Sequence, residues 1–439
     1  MLPRAHQGLA EQGFSVKSMP RVVFVNRFVH PDHSATSQIL SDLAESLAAN
    51  GFEVLLVGSR QLYSDADAKL PANDQAGAIR IRRVGGTRFG RSRLLGRAVD
   101  YLSFYVAVGW ALLRLLRRND LVVAKTDPPL LSVVVAVIAS LRRARLINWL
   151  QDVFPEVAVA LGQPRIPGVL AKALAWLRDR SLRRASINVA IGERMAELLR
   201  SRVPTARYAV IPNWAHESAV HPLPFEKSDL RHRLGLMDRF VVAYSGNLGR
   251  AHDYTTIFDA AVALRVHEEI VFLIIGDGSG YHALKSRAES TGLNNLRFLP
   301  YQPLDRLADS MAAGNLHLVS LKPSLEGLIV PSKFFGILAA SRPVIFIGDS
   351  DGELARVIDA SNCGRVVAEG NGAELASVLL SLADDRRQCD DMGSLGRELL
   401  QTQFARREAL AAWASLLREA ANEGINDRDV QRRDGPRAE

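Results

Sequence analysis

From Arg21 to Ala368, short runs rich in Val, Ile and Leu alternate with helical stretches, and no other property of the chain restricts its fold as much. Strands separated by helix-length segments cannot pair as hairpins, so they form parallel sheets with helices covering both faces. Strands are expected at 21–26, 53–58, 79–84, 121–126, 145–150, 187–191 and 208–212. Between Trp214 and Arg239 the pattern breaks into a polar stretch with Pro222 and Pro224, which reads as a linker over 215–239. A second series follows, with strands at 240–246, 270–275, 296–300, 315–321, 343–348 and 364–368, and helices near 372–383, 385–402 and 405–420. The fold class is therefore α/β: two Rossmann-like, doubly wound domains, 20–214 and 240–404, facing across a cleft. The 405–420 helix is available to pack back on the first domain, and residues 421–439 read as a polar tail. Residues 1–19 lack the apolar core of a secretory signal and read as a disordered extension.

Composition narrows the function classes. Only Cys363 and Cys389 occur in 439 residues, too few for a disulfide framework or a Cys-based zinc site, and a reducing cytoplasm suits them. Lys and Arg outnumber Asp and Glu by 55 to 47, and the excess is local: Arg80 to Arg118 holds ten Arg against Asp100 alone. Its apolar run over 101–113 has 13 residues and the next, over 128–141, has 14, fewer than the ~20 of a spanning helix. Residues 80–118 are thus expected to attach the protein peripherally to an anionic membrane surface, at the inner face of the plasma membrane. Nucleic acid would need base-stacking aromatics interleaved with the arginines, whereas Tyr101, Phe104, Tyr105 and Trp110 sit inside an apolar helical run.

Ligands of doubly wound sheets bind beyond the carboxyl ends of the strands, so the loops there carry the chemistry. Ser245-Gly246-Asn247-Leu248-Gly249-Arg250 opens a helix; its glycines permit close backbone approach, and Arg250 offers a forked donor to a diphosphate. The other reading of this loop is a turn capped by Asp253. Gly276-Asp277-Gly278 is either a second ligand contact or a plain tight turn, because the acid of a nicotinamide-dinucleotide site, about 20 residues later, is missing. In Glu326-Gly327 through Pro331-Ser332-Lys333, Pro331 suits a first helical position, which puts Ser332 and Lys333 in the first turn, facing an anion. Glu326 precedes them, able to accept hydrogen bonds from sugar hydroxyls. Asp152 follows the fifth strand and either orients a sugar hydroxyl or caps the helix opening at Pro155-Glu156.

In combination, the two Rossmann-like halves, the SGNLGR loop, the Gly-Asp-Gly turn and the Glu-Gly, Pro-Ser-Lys and Leu-Ala-Ala-Ser-Arg-Pro-Val segments resemble the retaining glycosyltransferases of GT-B fold, family 4. The resemblance spans about residues 20–420 and is strongest to bacterial members that build O-antigen, capsule or colanic-acid-type polysaccharides. It implies transfer of a sugar from a UDP- or GDP-sugar, bound mainly by the C-terminal domain, to a saccharide or polyprenyl-diphosphate-linked acceptor. No other cofactor is implied. Catalytic roles fall by resemblance to Arg250 and Glu326, with Lys333 and with Asp152, where many relatives carry His, added by position; the loops themselves offer donor contacts at Gly246, Asn247, Gly249, Gly276, Gly278 and Ser332, and Glu353 joins them. Lys333 stands in for a family lysine missing from 252–258, and Glu353 for the family's second glutamate, whose place Gly336 takes. The implied route is front-face and metal-independent, with charge stabilisation in place of a nucleophile, and the cleft loops are read as holding no Asp-x-Asp clamp. A sugar-nucleotide epimerase of similar architecture is the competing reading, separable by product analysis without acceptor.

Overall fold

The computed structural model describes residues 20–433 apart from 64, 66, 90–93, 163–165 and 216–219. The extension expected at 1–19 and the end of the tail lie outside the described residues.

The first series runs β1 (Arg21–Val25), α1 (Ala35–Ala49), β2 (Glu53–Ser59), β3 (Asn73–Ala76), β4 (Ile79–Val84), α2 (Leu94–Leu115), β5 (Leu121–Lys125), α3 (Leu131–Arg142), β6 (Arg145–Leu150), α4 (Glu156–Ala160), α5 (Gly168–Arg184), β7 (Ile187–Ala190), α6 (Glu193–Arg202) and β8 (Tyr208–Val210). Its strands form one sheet, ordered β3-β4-β2-β1-β5-β6-β7-β8. All pairs are parallel except the antiparallel β3–β4. Every residue of β5 is buried, as a strand covered by helices on both faces requires. The sequence reading missed β3 because Asn-Asp-Gln-Ala has no apolar alternation; pairing with β4 at the sheet edge is what makes it a strand.

The second series adds α7 (Asp229–Arg233), β9 (Phe240–Asn247), α8 (Thr255–Ala263), β10 (Ile270–Asp277), α9 (Ser279–Ser290), β11 (Leu296–Leu299), α10 (Leu307–Ala312), β12 (Leu316–Ser320), α11 (Lys333–Ala339), β13 (Val344–Gly348), α12 (Glu353–Ser361), β14 (Gly364–Ala368), α13 (Gly372–Asp384), α14 (Arg386–Thr402) and α15 (Arg406–Arg433). Its sheet is parallel throughout, ordered β11-β10-β9-β12-β13-β14.

Three expectations change. The second half of the expected linker belongs to the C-terminal domain: Leu230 and Leu236 pack with Val241, Val271 and Leu273, and buried Arg231 donates to the carbonyls of Leu236 and Ala313 and to Asn315 Oδ1. The last helix continues to Arg433, past the point where a polar tail was expected to begin. It crosses back to the N-terminal domain, where Trp413 lies 4.6 Å from Trp149 and Arg406 Nε is 2.7 Å from Asp42 Oδ2.

The third change concerns the basic run. Arg80 pairs with Glu53, Arg82 donates to Asn73, and buried Arg83 pairs with Asp74 at 2.9 Å, so these cations have partners along the sheet edge. Arg91 and Arg93 lie outside the described residues. In addition, the helix is longer than its uncharged run: Gly96–Leu115 is long and apolar enough by length and composition to cross a membrane. It lies instead along the sheet, with Phe104, Val108 and Leu112 buried.

Candidate functional site

The loops after β9, β10 and β12 meet the end of α4 from the other domain around a cavity of about 420 Å³. Gly249, Arg250, His252, Tyr254, Ser279, Gly280 and Lys322 line it from the C-terminal domain, and Ala160, Leu161 and Gly162 from the N-terminal domain. That size lies within the range of small-ligand sites.

The helix starts around the cavity are largely occupied, contrary to the expectation of open amides. Asp253 accepts the N–H groups of Thr255 (2.9 Å) and Thr256 (3.0 Å), which caps α8. At α9, Leu248 O accepts from Gly280 (2.8 Å) and Tyr281 (3.1 Å). Side chains therefore supply the positive charge. Arg250 and Lys322 line the cavity, and among the described residues no carboxylate lies within 4.0 Å of Arg250, Lys322 or Lys333. Lys322 was not singled out in the sequence, although its position directly after a strand was the available signal.

Lys333 is held by the neighbouring loop. Its ammonium donates to Tyr244 Oη and to Asn247 O (3.3 Å) and stands 3.8 Å over the Tyr244 ring. Burial pulls its pKa down to about 7. His252 shares this pocket; burial, followed by the charge of Lys333, pushes it down to about 3, so it is neutral at any physiological pH. Ser332 is exposed and makes no side-chain cap for α11.

Gly246 lies against the Lys333 side chain, within 3.8 Å of its Cε for an added Cβ. Gly276 and Gly278 serve the packing of two loops: an added Cβ would stand 2.1 Å from Gly246 O at the first and 2.4 Å from Asn247 Oδ1 at the second. Both have positive φ, +143° and +123°, which glycine adopts without strain. The turn reading thus accounts for these two glycines.

The expected carboxylates have other partners. Glu353 Oε1 and Oε2 accept the N–H groups of Glu193 (3.0 Å) and Arg194 (2.7 Å), the first turn of α6 in the opposite domain. Both Glu353 oxygens are thus engaged in an interdomain helix cap. Glu326 Oε1 accepts the Glu353 N–H at 2.7 Å, and burial raises its pKa. At Gly336 an added Cβ meets nothing within 4 Å, so the family glutamate's place is open space.

Asp152 sits on the same interdomain seam. It forms an antiparallel β-bridge with Ile329, and Val153 N–H donates to Leu328 O at 2.9 Å. No side chain caps α4, which removes the capping explanation for Asp152. Its carboxyl faces a small cavity with Thr126 and Ser132; burial raises its pKa to about 6 against a hydrogen bond from Thr126.

Asp349-Ser350-Asp351 does have metal-clamp spacing, which corrects the expectation that the cleft loops hold none. Here Asp351 pairs with Arg194 across the seam and with Arg356 at 2.8 Å. Among the described residues no three His, Cys, Asp or Glu side chains group as metal ligands.

Two family models match consecutive parts of the chain: "Glycosyl transferase 4-like domain" over residues 35–214 and "Glycosyl transferases group 1" over 226–399. The chain is a GT-B glycosyltransferase. This glycosyltransferase is 27% identical over 337 residues to the probable glycosyltransferase WbjE of Pseudomonas aeruginosa, covering 76% of this chain and 84% of the relative. It is 26% identical over 344 residues to the putative colanic acid biosynthesis glycosyl transferase WcaI of Escherichia coli K12, covering 75% and 83%. Its fold matches sucrose-phosphate synthase from Thermosynechococcus elongatus with a TM-score of 0.71 at 15% identity, over 91% of this chain and 98% of that one. Anabaena HepE in complex with UDP and glucose matches with a TM-score of 0.68 at 17% identity, over 91% and 100%.

Proposed function

We propose that this glycosyltransferase moves a sugar from a UDP- or GDP-sugar to a lipid-linked saccharide, with retention of anomeric configuration, in bacterial surface polysaccharide synthesis at the inner face of the plasma membrane. The observation that carries the reading is the pair of cations Arg250 and Lys322 lining the interdomain cavity, with the Lys333 ammonium near enough to His252 of that lining to act on its charge. Such a cluster stabilises the charge that develops on a departing nucleoside diphosphate, the largest single demand of the reaction. The bound UDP and glucose of HepE and the polysaccharide role in the name of WcaI support the substrate classes.

In a front-face route the departing phosphate oxygen takes the proton of the attacking acceptor hydroxyl, on the same face of the sugar. Arg250 and Lys322 would hold the diphosphate, and Lys333 would neutralise it from the Asn247 side. Asp152, beside the seam, would orient a hydroxyl. Closure along the Glu353–α6 and Asp152–Ile329 contacts would exclude water from the donor. Three side-chain cations make a metal unnecessary in this scheme.

The test is incubation of the purified protein with UDP- and GDP-sugars and a short-chain prenyl-diphosphate saccharide, with and without EDTA. The expected product is an elongated saccharide with the donor's anomeric coupling constant and an EDTA-insensitive yield. Release of nucleoside diphosphate with an epimerised free sugar and no elongated product would establish the epimerase instead.

A further inference from the structure

Helices α2, α3 and α5 lie side by side, and α2 and α3 together cover one face of the N-terminal sheet. Their inner sides are spent on the core: Phe104, Val108 and Leu112 of α2 and Val135 and Ala139 of α3 are at most 2% exposed. Their outer sides are also apolar. On α2, Leu102 is 63%, Val106 68% and Trp110 59% exposed, four residues apart and so on one stripe. On the neighbouring helices Val137 (46%) and Leu141 (67%) of α3 and Trp176 (55%) of α5 are likewise exposed.

The exposed charge on these helices has one sign. The exposed charged side chains on the described parts of these helices are Arg114, Arg142, Lys172, Arg180, Arg183 and Arg184, all basic. Asp100 is buried and Asp179 pairs with Arg178 at 2.7 Å. The Arg114 guanidinium lies 3.8 Å over the Trp110 ring and that of Arg180 5.7 Å from the Trp176 ring. An aromatic body with a cationic tip suits the boundary between acyl chains and phosphate headgroups.

We propose that the outer face of α2, α3 and α5 docks on an anionic lipid bilayer, with Leu102, Val106, Trp110, Leu141 and Trp176 entering the headgroup boundary and the basic side chains contacting lipid phosphates. A second copy of the chain is the poorer occupant, because a self-complementary contact would set two cationic rims against each other. The apolar length of α2 serves both its faces, one in the core and one in lipid, so the helix lies in the interface plane. The surface deepens the proposed function by bringing the acceptor domain to where a lipid-linked acceptor resides, and its purpose rests on that reading, whereas binding does not.

The test uses the full chain with sucrose-loaded vesicles of phosphatidylcholine, alone or mixed with phosphatidylglycerol, at low and high salt. Wild type is expected to sediment with the mixed vesicles only, less so in high salt, with a blue shift of tryptophan emission. A Leu102→Glu/Val106→Glu variant, altered only at exposed positions, is expected to bind at least ~10-fold more weakly. An Arg114→Ser/Arg180→Ser variant loses roughly 5-fold per arginine. Transfer to a soluble saccharide acceptor, measured in parallel, is expected to be unchanged in both variants, which separates failure of docking from failure of the enzyme reading. Equal sedimentation with neutral and anionic vesicles, wild-type binding by the glutamate variant, or a dimer that the glutamate variant abolishes without vesicle binding would each overturn the proposal.

Discussion

Lys333 allows the charge argument to be tested by pH. In the unliganded protein its ammonium has Tyr244 Oη and Asn247 O as partners, and burial lowers its pKa to about 7. A diphosphate placed against it favours the charged form, so binding takes up a proton whenever Lys333 starts neutral. Below about pH 7 it is already charged and adds no pH dependence of its own; above, the dissociation constant rises toward about tenfold per pH unit, about 50-fold or ~2.3 kcal/mol between pH 7 and 9. The secondary phosphate ionises near 6 and does not contribute over that range. Nor does His252, neutral throughout. Calorimetry with UDP and GDP from pH 7 to 9, in buffers of different ionisation enthalpy, reads both the slope and the proton. Lys333→Met is expected to bind weakly at pH 7, show no slope and approach wild type near pH 9. Stability without ligand has the opposite sign: the unfolded chain holds this proton up to about pH 10.4 and the folded chain only to about 7, so this group's contribution raises stability with pH across that interval. A flat wild-type profile, or the same slope in Lys333→Met, would refute the placement of Lys333 on the diphosphate.

Arg250→Ala and Lys322→Ala are each expected to reduce kcat by ~10²–10³ with unchanged thermal unfolding, since each removes one stabiliser of the leaving group; wild-type turnover in a folded variant removes that residue from the mechanism. Glu353→Gln removes a charged cap from α6 and is expected to weaken the interdomain seam by about 0.5–2 kcal/mol, seen as faster proteolysis between the domains, with nucleotide affinity in the isolated binding step little changed. A large loss of affinity without a change in proteolysis would instead establish a ribose role for Glu353. Trp413→Ala, which empties the space against Trp149, should destabilise the N-terminal domain by ~3–5 kcal/mol in urea unfolding, and a cost below ~1 kcal/mol would show that α15 is not part of its core.

What the sequence determined by itself was whatever is written in local periodicity. Alternating apolar runs define strands and helices within a few residues, their order produces parallel sheets, and parallel sheets bring loops such as 245–250 and 276–278 to the cleft edge. Asp253 capping α8 was legible for the same reason, because donor and acceptor lie within three residues. Only the tertiary structure decided which charges remain for a ligand. Glu353 finds its partners 159 and 160 residues away on α6, Arg83 is consumed by Asp74 across a polar edge strand, and Lys322 reaches the cavity through the packing of three loops. These outcomes depend on which buried charges and amides find partners, and a buried polar group takes the partner that folding brings within reach, wherever it lies in the chain. The same holds for α2, whose composition fits a spanning helix until the sheet occupies one face and leaves the other exposed.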